Sequence, residues 1–185
     1  MPERSLHVEV RPMEQEPTKY AAARSLGWLW LIFIAILCFG IAAAILLAVV
    51  AGPSGAGAIA VLPAAAMIIL GVCSLLLAGW SITVRYEMSP GRLSLFCGPV
   101  RYNVPIAEVR RVAKTDLRMC GWSSTRFPGF ALGGIPYGGV GIVVMCATRS
   151  LKGIILIETG KKKYGVTPSD EAAFLSELEG LLEAR

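Results

Sequence analysis

From residue 25 to residue 84 the chain contains no Asp, Glu, Lys, Arg or His. A charge-free run of that length leaves no side of a helix to give to water, which excludes an ordinary soluble core. Gly52, Pro53, Ser54, Gly55, Ala56 and Gly57 interrupt it near the middle with turn-forming residues. On either side, residues 27–51 and 56–80 are each longer than the about 20 apolar residues a bilayer crossing needs. The pattern predicts a transmembrane helical hairpin over 25–84. A tail of residues 1–24 precedes it, and a folded domain over 82–185 follows.

Charges at the edges orient the hairpin. Lys19 and Arg24 stand before the first span and Arg85 after the second, while the turn carries none. The positive-inside rule then puts both termini in the cytoplasm, making a two-span protein of the cell membrane. Trp28, Trp30 and Trp80 fall at the ends of the spans, where indoles anchor at the headgroup boundary. Gly40 and Ala42 to Ala44 in the first span, with Ala64 to Ala66, Gly71 and Ser74 in the second, offer small faces for close helix contact. Pro63 is expected to bend the second helix or loosen its outer turn. Transport paths use ionisable groups at mid-membrane, and these spans contain none. The tail holds Pro2, Pro12 and Pro17 without an apolar run and is expected to be flexible. It is too long and too acidic for a signal peptide.

Composition narrows the partners. The net charge is +5, and the tail is balanced at four basic and four acidic groups. The excess therefore lies after the hairpin, where 14 basic groups face 9 acidic ones. Beside a membrane this points to lipids with anionic headgroups. No helix or stripe concentrates the charge as nucleic acid would require. Of five cysteines, none forms a CxxC pair, and the single histidine, His7, is in the tail. The expectation is no metal and no cofactor, with cysteines acting as small buried hydrophobes.

Beyond Ser81 the apolar period changes to two. Val84, Tyr86 and Met88 alternate with polar residues, Ser89-Pro90-Gly91 turns the chain, and Leu93, Leu95 and Cys97 resume. Gly98-Pro99 turns it again before Val100, Tyr102, Val104 and Ile106. This is a strand meander. Val109 and Val112 continue as a strand or a short helix. Apolar runs over 141–147 and 153–157 and a short piece over 163–166 read as the second half of an antiparallel sheet. Thr167 is expected to cap a final helix with Pro168 at its first position. Phe174, Leu175, Leu178, Leu181 and Leu182 give that helix one apolar face.

The run Tyr86-Glu87-Met88-Ser89-Pro90-Gly91-Arg92-Leu93, then Gly98-Pro99-Val100 and Ile106-Ala107-Glu108-Val109, resembles the opening of bacterial pleckstrin-homology-like (PH-like) domains. Residues 154–157, Tyr164-Gly165-Val166-Thr167-Pro168, then Phe174-Leu175 and Leu178 resemble their close. The resemblance covers about residues 82–183. It implies an α+β fold, a bent antiparallel sheet or barrel of about seven strands capped by the C-terminal helix. Two departures stand out. Phosphoinositide-binding relatives carry a basic cluster in the first hairpin; here Arg85 and Arg92 are present, but Ser94 takes the last basic position. Residues 118–141 form a glycine-rich, insertion-like segment between the sheet halves.

That segment carries Trp122, Phe127, Phe130 and Tyr137 with Arg118 and Arg126 nearby. Two readings stand: the aromatics touch a membrane or partner, or they fold over their own barrel. Lys161, Lys162 and Lys163 are the densest charge run, either a contact for anionic lipid or a solvated hairpin tip. No catalytic set emerges; Asp116 and Cys120 lack a base, orienter and oxyanion donor. The leading expectation is a non-enzymatic, membrane-anchored binding or scaffold module presenting a PH-like domain at the cytoplasmic face. A protein partner or self-association fits such a role. The alternative is an accessory subunit of a membrane transport or export complex, its hairpin packed on partner helices.

Overall fold

A computed structural model describes residues 16–52, 57–120, 126–127 and 129–184. The elements run β1 (Thr18–Ala21), α1 (Gly27–Ala51), α2 (Gly57–Ile82), β2 (Arg85–Ser89), β3 (Arg92–Cys97) and β4 (Val100–Pro105). A single 3-10 turn, Ile106–Glu108, leads into β5 (Val109–Thr115). Then come β6 (Arg118–Met119), β7 (Arg126–Phe127), β8 (Phe130–Gly138), β9 (Gly141–Ala147), β10 (Ile154–Thr159), β11 (Lys163–Val166) and α3 (Glu171–Glu183).

The two apolar helices pack on each other along small residues. Leu31, Ala35, Cys38 and Ala42 of α1 are buried, at helical spacing, as are Ala64, Gly71, Ser74 and Ala78 of α2. Gly71 makes room for the Phe39 ring, since a Cβ at that position would lie 2.9 Å from it and the ring would have to shift. The seam uses only part of the small-residue set, since Gly40, Ala43, Ala44, Ala65 and Ala66 face outward. The helix remains continuous through Pro63. Only 17% of each apolar window is buried. A helix in the core of a soluble protein would be mostly covered, so these two fit a transmembrane hairpin in length, composition and exposure.

The strands form a curled, mixed half-barrel. Among the described residues one sheet has the order β1-β2-β3-β4, and a second the order β5-β10-β11-β9-β8-β6, with β7 also on β8. The expectation of a wholly antiparallel sheet fails at one pairing, where β11 lies parallel to β9, Val166 beside Cys146. The connection over 148–153 carries the chain past one strand width, and β11 returns from β10 to fill the slot. Such a gap is about 10 Å, twice the usual strand spacing. Thr167 closes it, its hydroxyl accepting from Thr148 N at 2.9 Å. Thr167 is therefore a buried strut, and Asp170 is the helix cap, accepting from Ala173 N at 3.0 Å.

The first sheet and α3 enclose the main core, which includes Tyr86, Met88, Leu93, Leu95, Phe130, Ile155, Ile157, Phe174 and Leu178. The second sheet is covered on both faces along β10 and the end of β9: Ile154 and Leu156 join Ile135, Tyr137, Val143 and Met145 in a separate cluster, while Ile155, Ile157 and Cys146 face the main core. This explains why β9 and β10 read as unbroken apolar runs rather than as alternation. Phe130 is fully buried, so it is a core residue and not a surface contact.

Residues 18–21, expected to be flexible, form an edge strand. β1 pairs antiparallel with β2, Ala21 opposite Arg85 and Thr18 opposite Met88. Tyr20 packs edge-on against Phe174 at 5.3 Å and its hydroxyl donates to Glu177. The hairpin is thus an excursion in the connection between two neighbouring strands.

Candidate functional site

The end of the half-barrel that meets the helices is fixed by two turns. Gly98, between β3 and β4, has φ +60°, and a Cβ there would lie 2.6 Å from Trp80 Cγ. Gly129, before β8, has φ +80°, and a Cβ there would lie 2.6 Å from Gly27 Cα. Only glycine allows both the left-handed backbone and the close approach. Ser25 locks the second contact: its hydroxyl donates to Gly129 O at 2.9 Å and accepts from Gly27 N at 3.0 Å. Ala23 N donates to Thr167 O at 2.7 Å, and Thr148 Oγ1 donates to Ala23 O at 2.7 Å. The domain therefore sits directly on the helix ends, with no free linker on either side.

Beside these turns, strand register builds a cationic platform. Phe96 of β3 is opposite Arg85 of β2 and Arg101 of β4. Period-two geometry puts all three on the outer face, because Tyr86, Leu95 and Tyr102 take the inner one. Both guanidinium groups lie over the Phe96 ring, at 4.4 Å for Arg85 and 4.7 Å for Arg101. Each such contact stabilises by about 0.5–1 kcal/mol at an exposed site. Arg101 also donates to Asn103 Oδ1 at 3.2 Å and Ser94 Oγ at 3.4 Å. Glu87 approaches Arg85 at 3.5 Å. The result is two oriented, solvent-facing guanidinium groups at the helix-proximal end, suited to phosphate oxygens.

The other sequence candidates are dispersed. Arg92 is at the far end of β3, opposite Ser89 and Pro105. Arg118 opens β6 opposite Gly138. Arg126 is half-buried, its Cζ 4.9 Å from the Tyr137 ring centroid and its Nη2 donating to Pro136 O at 3.2 Å. Phe127 packs partly into the core, and Trp122 lies outside the described residues. Lys161 and Lys162 are exposed on a turn tied by Thr159, whose hydroxyl accepts from Lys162 N at 3.0 Å. Lys163 is paired with Glu158 at 3.1 Å. Trp28 and Trp80 are half-covered, and Trp30 is exposed.

Sequence reasoning missed Phe96 and Arg101. The signal was present, since Phe96 is an aromatic at a position the alternation assigns to the outer face. What was missing was the register that sets it between two arginines. Cys97 and Cys146 are buried together, and a hydrogen bond with Cys97, then burial, pushes the Cys146 thiol well above the ordinary range.

A family model described as a bacterial PH domain matches residues 84–182. The chain belongs to the bacterial PH domain family. No curated protein and no solved structure matches it. In this bacterial PH domain the match begins one residue before β2 and ends in α3, so β1 and both apolar helices lie outside it. The platform of Arg85, Phe96 and Arg101 lies within it. PH domains act broadly as binding modules, and two helices that can span a membrane make this one a membrane-associated module.

Proposed function

We infer that this protein is a non-enzymatic, membrane-anchored binding module whose PH domain rests against the cytoplasmic face of the cell membrane. The observation that carries this reading is the pairing of β1 with β2 across the hairpin. A two-span excursion whose flanking strands pair must leave and return on one side. The positive flanks, Lys19, Arg24 and Arg85, favour the cytoplasmic side. With the Gly98 and Gly129 turns seated on the helix ends, Arg85 and Arg101 lie at headgroup level. There they attract anionic lipid by about 1 kcal/mol per basic side chain. The platform shares only Arg85 with the first-hairpin cluster of phosphoinositide-binding relatives, its second guanidinium coming from β4, and it favours a general anionic surface over one headgroup.

Topology tests the reading. Full-length protein carrying a tag at each end is exposed to protease in inside-out membrane vesicles. Loss of both tags is the expected result, and protection of either one overturns the cytoplasmic placement.

A further inference from the structure

A cavity of about 420 Å³ lies where the two helices enter the domain. Its walls come from the β1–α1 connection, the last turn of α2, and the Gly129 and Thr148 segments. The volume is within the roughly 300–1,000 Å³ range of small-ligand sites. Among the described residues Arg24 is its one charged lining residue. The lining hydroxyls are already committed to backbone: Ser25 donates to Gly129 O, Ser81 to Ala78 O and Thr148 to Ala23 O. The remaining wall is apolar, with Leu26, Trp28, Ile82 and Val84 prominent.

Those facts select an occupant. A cavity with one cation and an otherwise apolar wall suits an amphiphile with one anionic end. Leu26 is 72% exposed and Ile82 69% exposed, so the mouth continues onto the apolar outer surfaces of the helices. A water-soluble ligand would leave that continuity unused, whereas acyl chains would follow it. We propose that this cavity is a discrete binding site for one anionic phospholipid, its phosphate on Arg24 and its acyl chains along Leu26 and Ile82. The site is separate from the Arg85–Phe96–Arg101 platform. It rests on the part of the functional reading that puts the helices in the bilayer, and it is independent of which face the domain occupies.

Native mass spectrometry of the full-length protein, released from mild detergent, tests this with phosphatidylglycerol and phosphatidylcholine of matched chains. The expected result is one phosphatidylglycerol per chain, retained under activation that strips phosphatidylcholine. Arg24→Gln should weaken retention by about fivefold, the loss of one basic contact near an anionic group. Ala21→Trp, an exposed substitution at the cavity wall, should block retention, while Arg111→Gln on β5 should leave it unchanged. Equal retention of the two lipids, or wild-type retention by Arg24→Gln, overturns the proposal. So does displacement of the lipid by millimolar glycerol phosphate, which would mean that the acyl chains contribute nothing. Vesicle topology and lipid retention are read separately, so either idea can fail without the other.

Discussion

The Tyr86 phenol joins three parts of the domain. It donates to Cys146 O at 2.8 Å, accepts from Thr167 N at 3.1 Å, and sits edge-on to Phe174 at 6.0 Å, fully buried. Tyr86→Phe keeps the ring and strands both backbone partners in an apolar core. The expected cost is about 1–3 kcal/mol, read as a lower denaturation midpoint of the detergent-solubilised protein. Burial also pushes the Tyr86 phenol pKa up, and burial with the Glu177 hydrogen bond pushes Tyr20 up to about 12. Below the unfolded tyrosine value of about 10, both phenols are protonated folded and unfolded, and their contribution to stability is flat. Above it only the unfolded phenols ionise, so stability falls as pH rises. The fall due to Tyr20 levels off near 12, where the folded phenol also ionises. Tyr86→Phe should make that alkaline fall shallower in a series of unfolding midpoints from pH 8 to 12. An unchanged slope would mean that the buried phenol is not the titrating group.

At the scale of elements, the legible parts were those built from local pattern. Two turns and their alternating neighbours gave β2, β3 and β4, and helical spacing of Phe174, Leu178 and Leu181 gave α3. β1 was not legible, because its partner is more than sixty residues away and Thr18–Ala21 has no alternation of its own. The parallel β9–β11 pairing was hidden for a related reason: β9 is an unbroken apolar run and β11 is only four residues long, so period alone cannot say which neighbours they choose. Phe130 misled by composition, since an aromatic among glycines looks like a loop when the segment is a nine-residue strand. β1 has an energetic role that can be measured. Tyr20→Ala removes the ring packed on Phe174 and the hydroxyl bonded to Glu177. Amide exchange around Ala173 and Glu177 should then speed up by about tenfold, the equivalent of about 1.4 kcal/mol of lost local stability. Exchange in β9 should change far less, and equal acceleration in both would show that β1 supports the whole fold rather than the seat of α3.

For the whole molecule, the central question is whether the domain and the hairpin move as one body. A PH domain on a flexible tether would sample many orientations, and its basic platform would meet lipid only part of the time. Here the chain enters through Ala23, held to Thr167 and Thr148, and leaves through Thr83, whose amide returns to Trp80 O at 3.2 Å. Gly98 against Trp80 and Gly129 against Gly27 then brace the two sides of the joint. Breaking one brace tests the arrangement. Gly129→Val forces a β-branched residue into φ +80° and drives its Cβ into Gly27, whereas the main core does not include Gly129. The domain should therefore keep its near-ultraviolet circular dichroism while the joint opens. Limited trypsin digestion reads the opening at Arg24 and Arg85, the two cleavage sites beside the helix ends. Cleavage there should rise several-fold in the variant, with cleavage at Arg111 in β5 unchanged. If Arg24 and Arg85 stay as resistant as in the wild type, the Gly129 contact does not hold the joint, and the fixed presentation of Arg85 and Arg101 must come from the β1–β2 pairing alone.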